Sequence, residues 1–348
     1  MTALQKWLAL CKAHDASDLH LSAGLPPLMR LHGDLQRLGD ASLTHEEVHA
    51  MLGDVMNPSQ RRQLCESLDV DFSFEKPDLG RFRVNAFHQS RGVAAVIRLI
   101  PADIPTLADI QAPAVVKSLL RQSQGLMLVT GPTGSGKSTT LAAMVDHINT
   151  HRGAHIVTVE DPVEFVHTPK RGLIHQREVG THTLRFANAL RAALRQDPDV
   201  ILVGELRDLD TIRLAMTAAE TGHLVLATVH TASAAKTIDR LVDVFSGDEK
   251  NKVRTQLSES LTAVISQILC KREDGLGRVA AHEVMVATPA IRNLIREAKV
   301  AQMYSAIQTG QAQGMQTLDQ HLQRLLQQGV ISLTEAQTHA RHPESLCA

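Results

Sequence analysis

The sequence predicts an α/β protein, with a phosphate-loop nucleotide-binding core, an α+β domain before it and a helical C-terminal region after it. Three observations predict this. Residues 131–138 read G-P-T-G-S-G-K-S, which meets the phosphate-loop pattern G-x-x-x-x-G-K-[ST] at every fixed position. From residue 126 onward, short apolar runs recur with enough chain between them for the crossover helices that a parallel sheet needs. Before residue 100 the runs instead alternate polar and apolar residues around tight turns, as antiparallel hairpins do.

Taken in order, Leu4–Ala13 reads as a helix, Ala16–Ser22 as a strand, and Leu28–Leu31 as another closed by a Gly33-Asp34 turn. Thr44-His45-Glu46-Glu47 is a capping box that starts a helix toward Met56, and Pro58 opens the next. Asp71–Glu75 alternates, and Arg81–Gln89 and Val93–Ile100 flank a Ser90-Arg91-Gly92 turn. Residues 1–100 are therefore expected to form an α+β domain. Pro101 and Pro105 mark an extended linker over 101–112, and residues 113–348 form the core with its helical C-terminal region. In the core, Leu126–Thr130, His155–Glu160, Val200–Gly204 and Leu224–Thr228 are expected strands. Thr139–Asn149 and Leu184–Gln196 are expected helices. From Asn251 the chain reads as mostly helical, with a Thr288-Pro289 helix start, breaks at Gly310 and Gly314, and a capping box at Ser332–Glu335.

Composition narrows the function. Hydrophobic residues make up 43% of the 348 and charged residues 21%, as in soluble globular proteins. No apolar stretch reaches the roughly 18 residues of a membrane span, and Lys6 interrupts the first ten residues, so a cytoplasmic location is expected. The net charge of −1 offers no bulk attraction to nucleic acid or anionic lipid. Aromatic residues are 3%, few stacking platforms for a nucleic-acid translocase. Cys11, Cys65, Cys270 and Cys347 are scattered and read as reduced and structural. The 18 histidines read as surface or hydrogen-bonded residues, with no metal ligation by histidine expected.

The phosphate loop carries the chemistry. Gly131, Gly134 and Gly136 let successive N–H groups face phosphate oxygens, with Pro132, Thr133, Ser135 and Thr139 completing the cradle. Lys137 is placed to reach the β- and γ-phosphates and the Ser138 hydroxyl to ligate Mg²⁺. The run Val200–Gly204 ends at Glu205, near the metal. The acid usual in such sites would stand at Gly204, so a water-mediated contact from Glu205 is expected. Residues 156–164, I-V-T-V-E-D-P-V-E, offer Glu160, Asp161 and Glu164 as groups to polarise an attacking water. His230 follows an apolar run and is placed to sense a γ-phosphate, and Arg83 and Arg98 of the N-terminal hairpin are candidate outside cations for the phosphates.

This set of motifs, in this order, resembles the secretion ATPases, and most closely those that retract type IV pili. The resemblance spans nearly the whole chain: A-S-D-L-H-L-S-A-G-L-P-P at Ala16–Pro27, the phosphate loop, T-V-E-D-P-V-E-F at Thr158–Phe165, and I-L-V-G-E-L-R-D at Ile201–Asp208. It continues through A-E-T-G-H-L-V-L-A-T-V-H-T at Ala219–Thr231 and A-I-R-N-L-I-R-E at Ala290–Glu297. Leu206 and Val229 depart from the family's usual Met and Leu, both as apolar exchanges. The resemblance implies an N-terminal PAS-like domain, a RecA-like core and a ring-shaped homohexamer that binds ATP and Mg²⁺. It implies that Glu164 is the catalytic acid, Glu205 the metal-side acid and His230 the residue of the histidine box, with Arg83 and Arg98 approaching the phosphates. The partner implied is an inner-membrane platform protein of the pilus machine, at the cytoplasmic face, with membrane association through partners alone. A catalytically silent ring subunit is a weaker reading, since Lys137, Glu164 and Glu205 are all present. A GTP switch is weaker still, because Asn251-Lys252 lacks the guanine-selecting Asp.

Overall fold

The structure is a computed structural model and describes residues 2–31, 34–100 and 103–346. Gly33 of the expected turn, Pro101 and Ala102 of the expected linker, and Cys347 lie outside the described residues. The chain divides into two compact units, Met1–Asp103 with Pro162–Val166, and Ile104–Asp161 with His167–Ala348.

The first unit holds α1 (Ala3–Ala13), β1 (Asp18–Ser22), β2 (Leu28–Leu31), β3 (Asp34–Arg37), α2 (His45–Gly53), α3 (Pro58–Ser67), β4 (Asp69–Lys76), β5 (Gly80–Gln89) and β6 (Gly92–Ile100). All three helices start on a reciprocal capping box, Thr2 with Gln5, Thr44 with Glu47 and Asn57 with Gln60. The strands form one antiparallel sheet in the order β3-β2-β1-β6-β5-β4. One face is apolar: Leu19, Leu21, Phe72, Phe82, Val84 and Ile97 are buried with Leu4, Leu8, Val48, Leu52 and Leu64 of the helices. The other carries a polar row, because Asp18 pairs with Arg98, Arg98 with Arg83 and Arg83 with Ser73 across successive strands. Strand β3 was not expected. Its four residues are all exposed, so no buried face imposes a readable alternation.

The second unit holds α4 (Ala114–Leu119), β7 (Gly125–Thr130), α5 (Lys137–His151), β8 (His155–Glu160), β9 (Leu173–Glu178), α6 (Phe186–Ala193), β10 (Val200–Val203), α7 (Leu209–Glu220) and β11 (Leu224–Val229). After these come α8 (Ala234–Asp243), α9 (Lys250–Ser260), β12 (Leu261–Lys271), β13 (Arg278–Val286), α10 (Pro289–Arg296), α11 (Met303–Thr309), α12 (Leu318–Gln327) and α13 (Leu333–His339). The sheet runs β13-β12-β7-β11-β10-β8-β9 and is parallel except for β13. Successive residues of each central strand enter opposite cores. Leu126, Leu128, Ile201, Val203, Val225 and Ala227 face α7 to α10, while Met127, Val129, Val200, Leu202, Leu224 and Leu226 face α5 and residues 107–120. Burial on both faces is why these strands read as unbroken apolar runs. Leu107 is buried in the second of these cores, and Thr106 and Asp109 close a turn through mutual hydrogen bonds. The described part of the expected extended linker is therefore packed and turned.

The C-terminal region corrects a sequence expectation, since the chain between α9 and α10 is not helical. β12 and β13 pair over nine antiparallel positions, Ala263 with Val286 through Lys271 with Arg278, before α10 begins. The misreading has a physical cause. Leu261, Val264, Ile265, Ile268 and Leu269 fall at helical spacing, but β12 lies inside the sheet between β13 and β7. Seven of its first eight residues need no polar face because the strand is covered on both sides. The Ser332 cap is present, but its box is half-made: Glu335 N donates to Ser332 Oγ at 3.1 Å, while the Glu335 carboxylate accepts Lys271 N–H at 2.7 Å.

Helix α10 buries one narrow face. Ile291 and Ile295 are buried, whereas Ala298 lies past the helix end at φ 56° and is exposed. Arg292 does not lie loose on the surface. Its guanidinium donates to Ala287 O at 2.9 Å, to Glu259 O at 2.7 Å and to Ser258 O, so it caps the C-terminal carbonyls of α9. Arg292→Ala is therefore expected to lower stability by about 1–3 kcal/mol, read by denaturant unfolding. The nearby Arg296→Ala, which loses only a long 3.5 Å approach of Nη1 to Ser258 Oγ, should stay within about 0.5 kcal/mol of the parent.

Candidate functional site

The site of the second unit lies along the carboxyl ends of its parallel strands. β7, β11 and β10 are adjacent and parallel, so the segments leaving them (the phosphate loop, His230 and Glu205) emerge at one edge of the sheet. Gly131 takes φ 145°, and a Cβ there would run into Gln267 O and Ser135 Oγ. Gly136 takes φ 84° and opens α5 with no capping side chain, so the first-turn amides keep their capacity for an anion.

Lys137 is buried. Its Nζ donates to Gly131 O and Pro132 O, both at 2.9 Å, and stands 3.3 Å from His230 Nδ1. His230 Nε2 is 3.4 Å from Glu205 Oε1, and Glu205 Oε2 takes Arg207 Nε at 2.7 Å. An ammonium has only donors, so Nδ1 accepts from Lys137 and the ring proton sits on Nε2, directed at Glu205. Little room is left for an acid at position 204. Gly204 N donates to Val159 O at 2.8 Å, and a Cβ on Gly204 would press on Val159 O at 3.3 Å and Glu160 Cα at 3.4 Å. A side chain at the usual place would fit only if the neighbouring strand gave way by a few tenths of an ångström, and here the acid stands one residue later.

Gln267 is a site residue that the sequence reading missed. Buried on β12, it donates from Nε2 to Ser135 O at 2.6 Å and accepts Thr140 Oγ1 at 2.9 Å, clamping the loop to the first turn of α5. A lone glutamine in an apolar run signals only that a buried amide needs partners. Gln267→Leu should leave Ser135 O and Thr140 Oγ1 unpaired. Thermal unfolding is expected to register a loss of about 2 kcal/mol, with a KM for ATP raised roughly tenfold, since 1.4 kcal/mol is a factor of ten.

The residues present fit a nucleotide. Thr130 Oγ1 and Ser135 Oγ are buried without a hydrogen-bond partner, beside an uncapped helix start. Pro132, Thr133 and Gly134 form the exposed crest of the loop, and Ser138 and Thr139 are half-buried in the first turn of α5. The oxygen donors Ser138 and Glu205 suit a hard cation such as Mg²⁺.

The remaining candidates lie in the first unit. Arg83 Nη1 stands 3.5 Å from Glu164 Oε1, with side chains 35% and 36% exposed, and Arg81 Nε donates to Val163 O at 3.1 Å. Residues 162–166 are thus held on the polar face of the antiparallel sheet. Solvent screens a pair this exposed, so it contributes little to stability. Arg98 Nε pairs with the buried Asp18 at 2.9 Å. Glu160, by contrast, ends β8 in the second unit, where its Oε1 accepts Thr158 Oγ1 at 2.6 Å and Gln176 Nε2 at 3.2 Å. The structure brings together Lys137, His230 and Glu205, and separately Arg83 with Glu164. His45 and His49 carry an H-E-x-x-H spacing, a pattern known from zinc sites. Here His45 Nδ1 accepts Val93 N–H at 3.1 Å, and the two rings lie 6.0 Å apart.

Residues 56–338 match the family described as Type II/IV secretion system protein. The chain belongs to that family. It is 60% identical over 97% of its length, and 98% of the other's, to a Pseudomonas aeruginosa protein described as the type IV pilus retraction ATPase PilT. It is 58% identical over 92% of its length, and 86% of the other's, to a twitching motility protein of Neisseria gonorrhoeae. Among solved structures, the pilus retraction motor PilT with bound ADP superposes with a TM-score of 0.91 at 46% identity, covering 99% of both chains.

Proposed function

We infer that this chain is a motor ATPase that couples ATP hydrolysis to the retraction of type IV pili. The observation that carries the reading is the convergence of Lys137, His230 and Glu205 on a phosphate loop. That constellation occurs in a chain similar from end to end to a protein described as a retraction ATPase. The second unit is read as a RecA-like core and the first as a PAS-like domain, with residues 1–100, 101–112 and 113–348 as the working division. Six copies form the ring.

In this mechanism Lys137 exchanges the carbonyls of Gly131 and Pro132 for the β- and γ-phosphate oxygens. Gly131 to Thr139 supply the amide cradle, and Ser138, with Glu205 acting through water, would hold a Mg²⁺ that would offset phosphate charge. Glu164 polarises the attacking water. Arg83 and Arg98 offset charge on the γ-oxygens, a role worth on the order of 10³–10⁵ in rate for an arginine elsewhere in this chemistry. His230, bonded to both Lys137 and Glu205, senses whether the lysine has moved. Force reaches the pilus through an inner-membrane platform protein at the cytoplasmic face, with no nucleic acid involved. Among the described residues no helix is long and apolar enough to cross a membrane, which suits attachment through a partner.

The test is ATP turnover by the purified protein, combined with pilus retraction in a deletion strain carrying it. Turnover without restored retraction would remove the pilus from the reading. Arg83→Ala and Arg98→Ala should each keep nucleotide binding and lose turnover by about 10²-fold or more. Unchanged turnover in both would take these arginines out of the mechanism.

A further inference from the structure

Away from the phosphate loop, β12 and α13 bring a thiol, a carboxylate and an imidazole into one cluster. The ligand atoms of Cys270, Glu335 and His339 all lie within 4.8 Å of one another. Glu335 Oε1 and His339 Nε2, one helical turn apart, are already 3.3 Å from each other. A tetrahedral cation with bonds of about 2.0–2.3 Å needs ligand atoms about 3.3–3.7 Å apart, so one edge of the tetrahedron is preformed. We propose that Cys270, Glu335 and His339 form a binding site for a borderline divalent cation of the zinc type, joining α13 to β12.

The donor set selects this class of metal. Thiolate, imidazole and carboxylate together suit zinc, whereas Mg²⁺ and Ca²⁺ prefer oxygen alone. Two ligands come from one helix at the spacing that puts them on one face, and the third from the strand beneath. The Lys271 amide donates to Glu335 at 2.7 Å, an outer contact of the kind that orients a ligating carboxylate. Burial, with the Glu335 charge beside it, pushes the Cys270 thiol up to about 12, so the metal-free cluster holds a thiol. Ligation replaces that proton, with one H⁺ released for each metal–sulfur bond formed and no change of oxidation state. Cys270 is fully buried, while the His339 side chain is 32% exposed and opens the cluster to solvent. Three protein ligands leave the fourth position to water. The site would fasten the C-terminal helix to the strand that, three residues earlier, clamps the phosphate loop through Gln267.

The test uses the full, tag-free chain, freed of metal by chelation and kept without nucleotide, titrated with Zn²⁺ and with Co²⁺. One equivalent should bind. The Co²⁺ form should show the near-ultraviolet thiolate-to-cobalt band and the intense visible bands of a tetrahedral centre, and Zn²⁺ should raise the unfolding temperature. Cys270→Ser should abolish the thiolate band, and His339→Ala, at a half-exposed position that folding tolerates, should weaken binding at least tenfold. Ser138→Ala, at the nucleotide site, should change neither. The proposal is overturned if no equivalent binds, if the Co²⁺ spectrum lacks the thiolate band, or if His339→Ala binds as tightly as the parent.

Discussion

Lys137→Ala should abolish ATP turnover, lowering kcat by about 10²–10³-fold at the least, the effect of removing one preorganised donor from developing oxyanion charge. The expectation is strengthened by what surrounds this cation. It is buried, tied to two carbonyls of its own loop and next to His230, so its ammonium is already held at the place where the phosphates would bind. The substitution also leaves Gly131 O and Pro132 O without that donor, and a stability loss of about 1–3 kcal/mol should accompany it. The two effects separate by experiment. Turnover is measured at saturating Mg²⁺ and ATP at a temperature well below unfolding, where a merely less stable protein would still hydrolyse. Near-normal turnover there would refute the assignment of the site.

Glu164→Gln should bind ATP and hydrolyse it about 10²–10⁴-fold more slowly, because the amide keeps the size of the carboxylate and loses its basicity. The rival residue is Glu160. Its Oε1 already accepts Thr158 Oγ1 and Gln176 Nε2, which marks it as a strand-end carboxylate with structural work. Glu164 is a third exposed and has Arg83 as its close charged neighbour, so it is the more available of the two. Glu160→Gln should therefore reduce turnover less than Glu164→Gln does, while lowering stability. The reverse order of rates would move the catalytic role to Glu160. The Arg83 contact adds a check: Arg83→Ala combined with Glu164→Gln should be less than additive if the two serve one step.

Much of this was legible in the chain itself, and the parts that were not share physical causes. The phosphate loop, its flanking strand and helix, and the acids and histidine at strand ends could be read because each rests on a local requirement, such as a backbone turn, an apolar run or a cap. Capping boxes at Thr44 and the Thr288-Pro289 start could be read for the same reason. β12 could not, since its apolar residues fall at helical spacing and only its neighbours, β7 and β13, decide that it is a strand. Gln267 and Arg292 were hidden for a related reason. Each acts through partners far away in sequence, Ser135 and Thr140 for the one, Ser258 and Glu259 for the other, and a partner at that distance leaves no pattern in a single chain.

The polar face of the antiparallel sheet has one further consequence. Arg83 and Arg98 stand directly opposite each other on β5 and β6, an arrangement of like charges that opposes folding by up to about 1 kcal/mol. Asp18 and Glu164 relieve part of it, one at each arginine. The first unit is thus locally frustrated: its sequence keeps a repulsion that a change to a neutral residue would remove. Frustration of this kind is a reserve of free energy, released when an anion comes to rest against both guanidinium groups. Added salt would screen the repulsion and the two ion pairs at Asp18 and Glu164 alike, so an anion seated against both guanidinium groups is what draws on that reserve selectively.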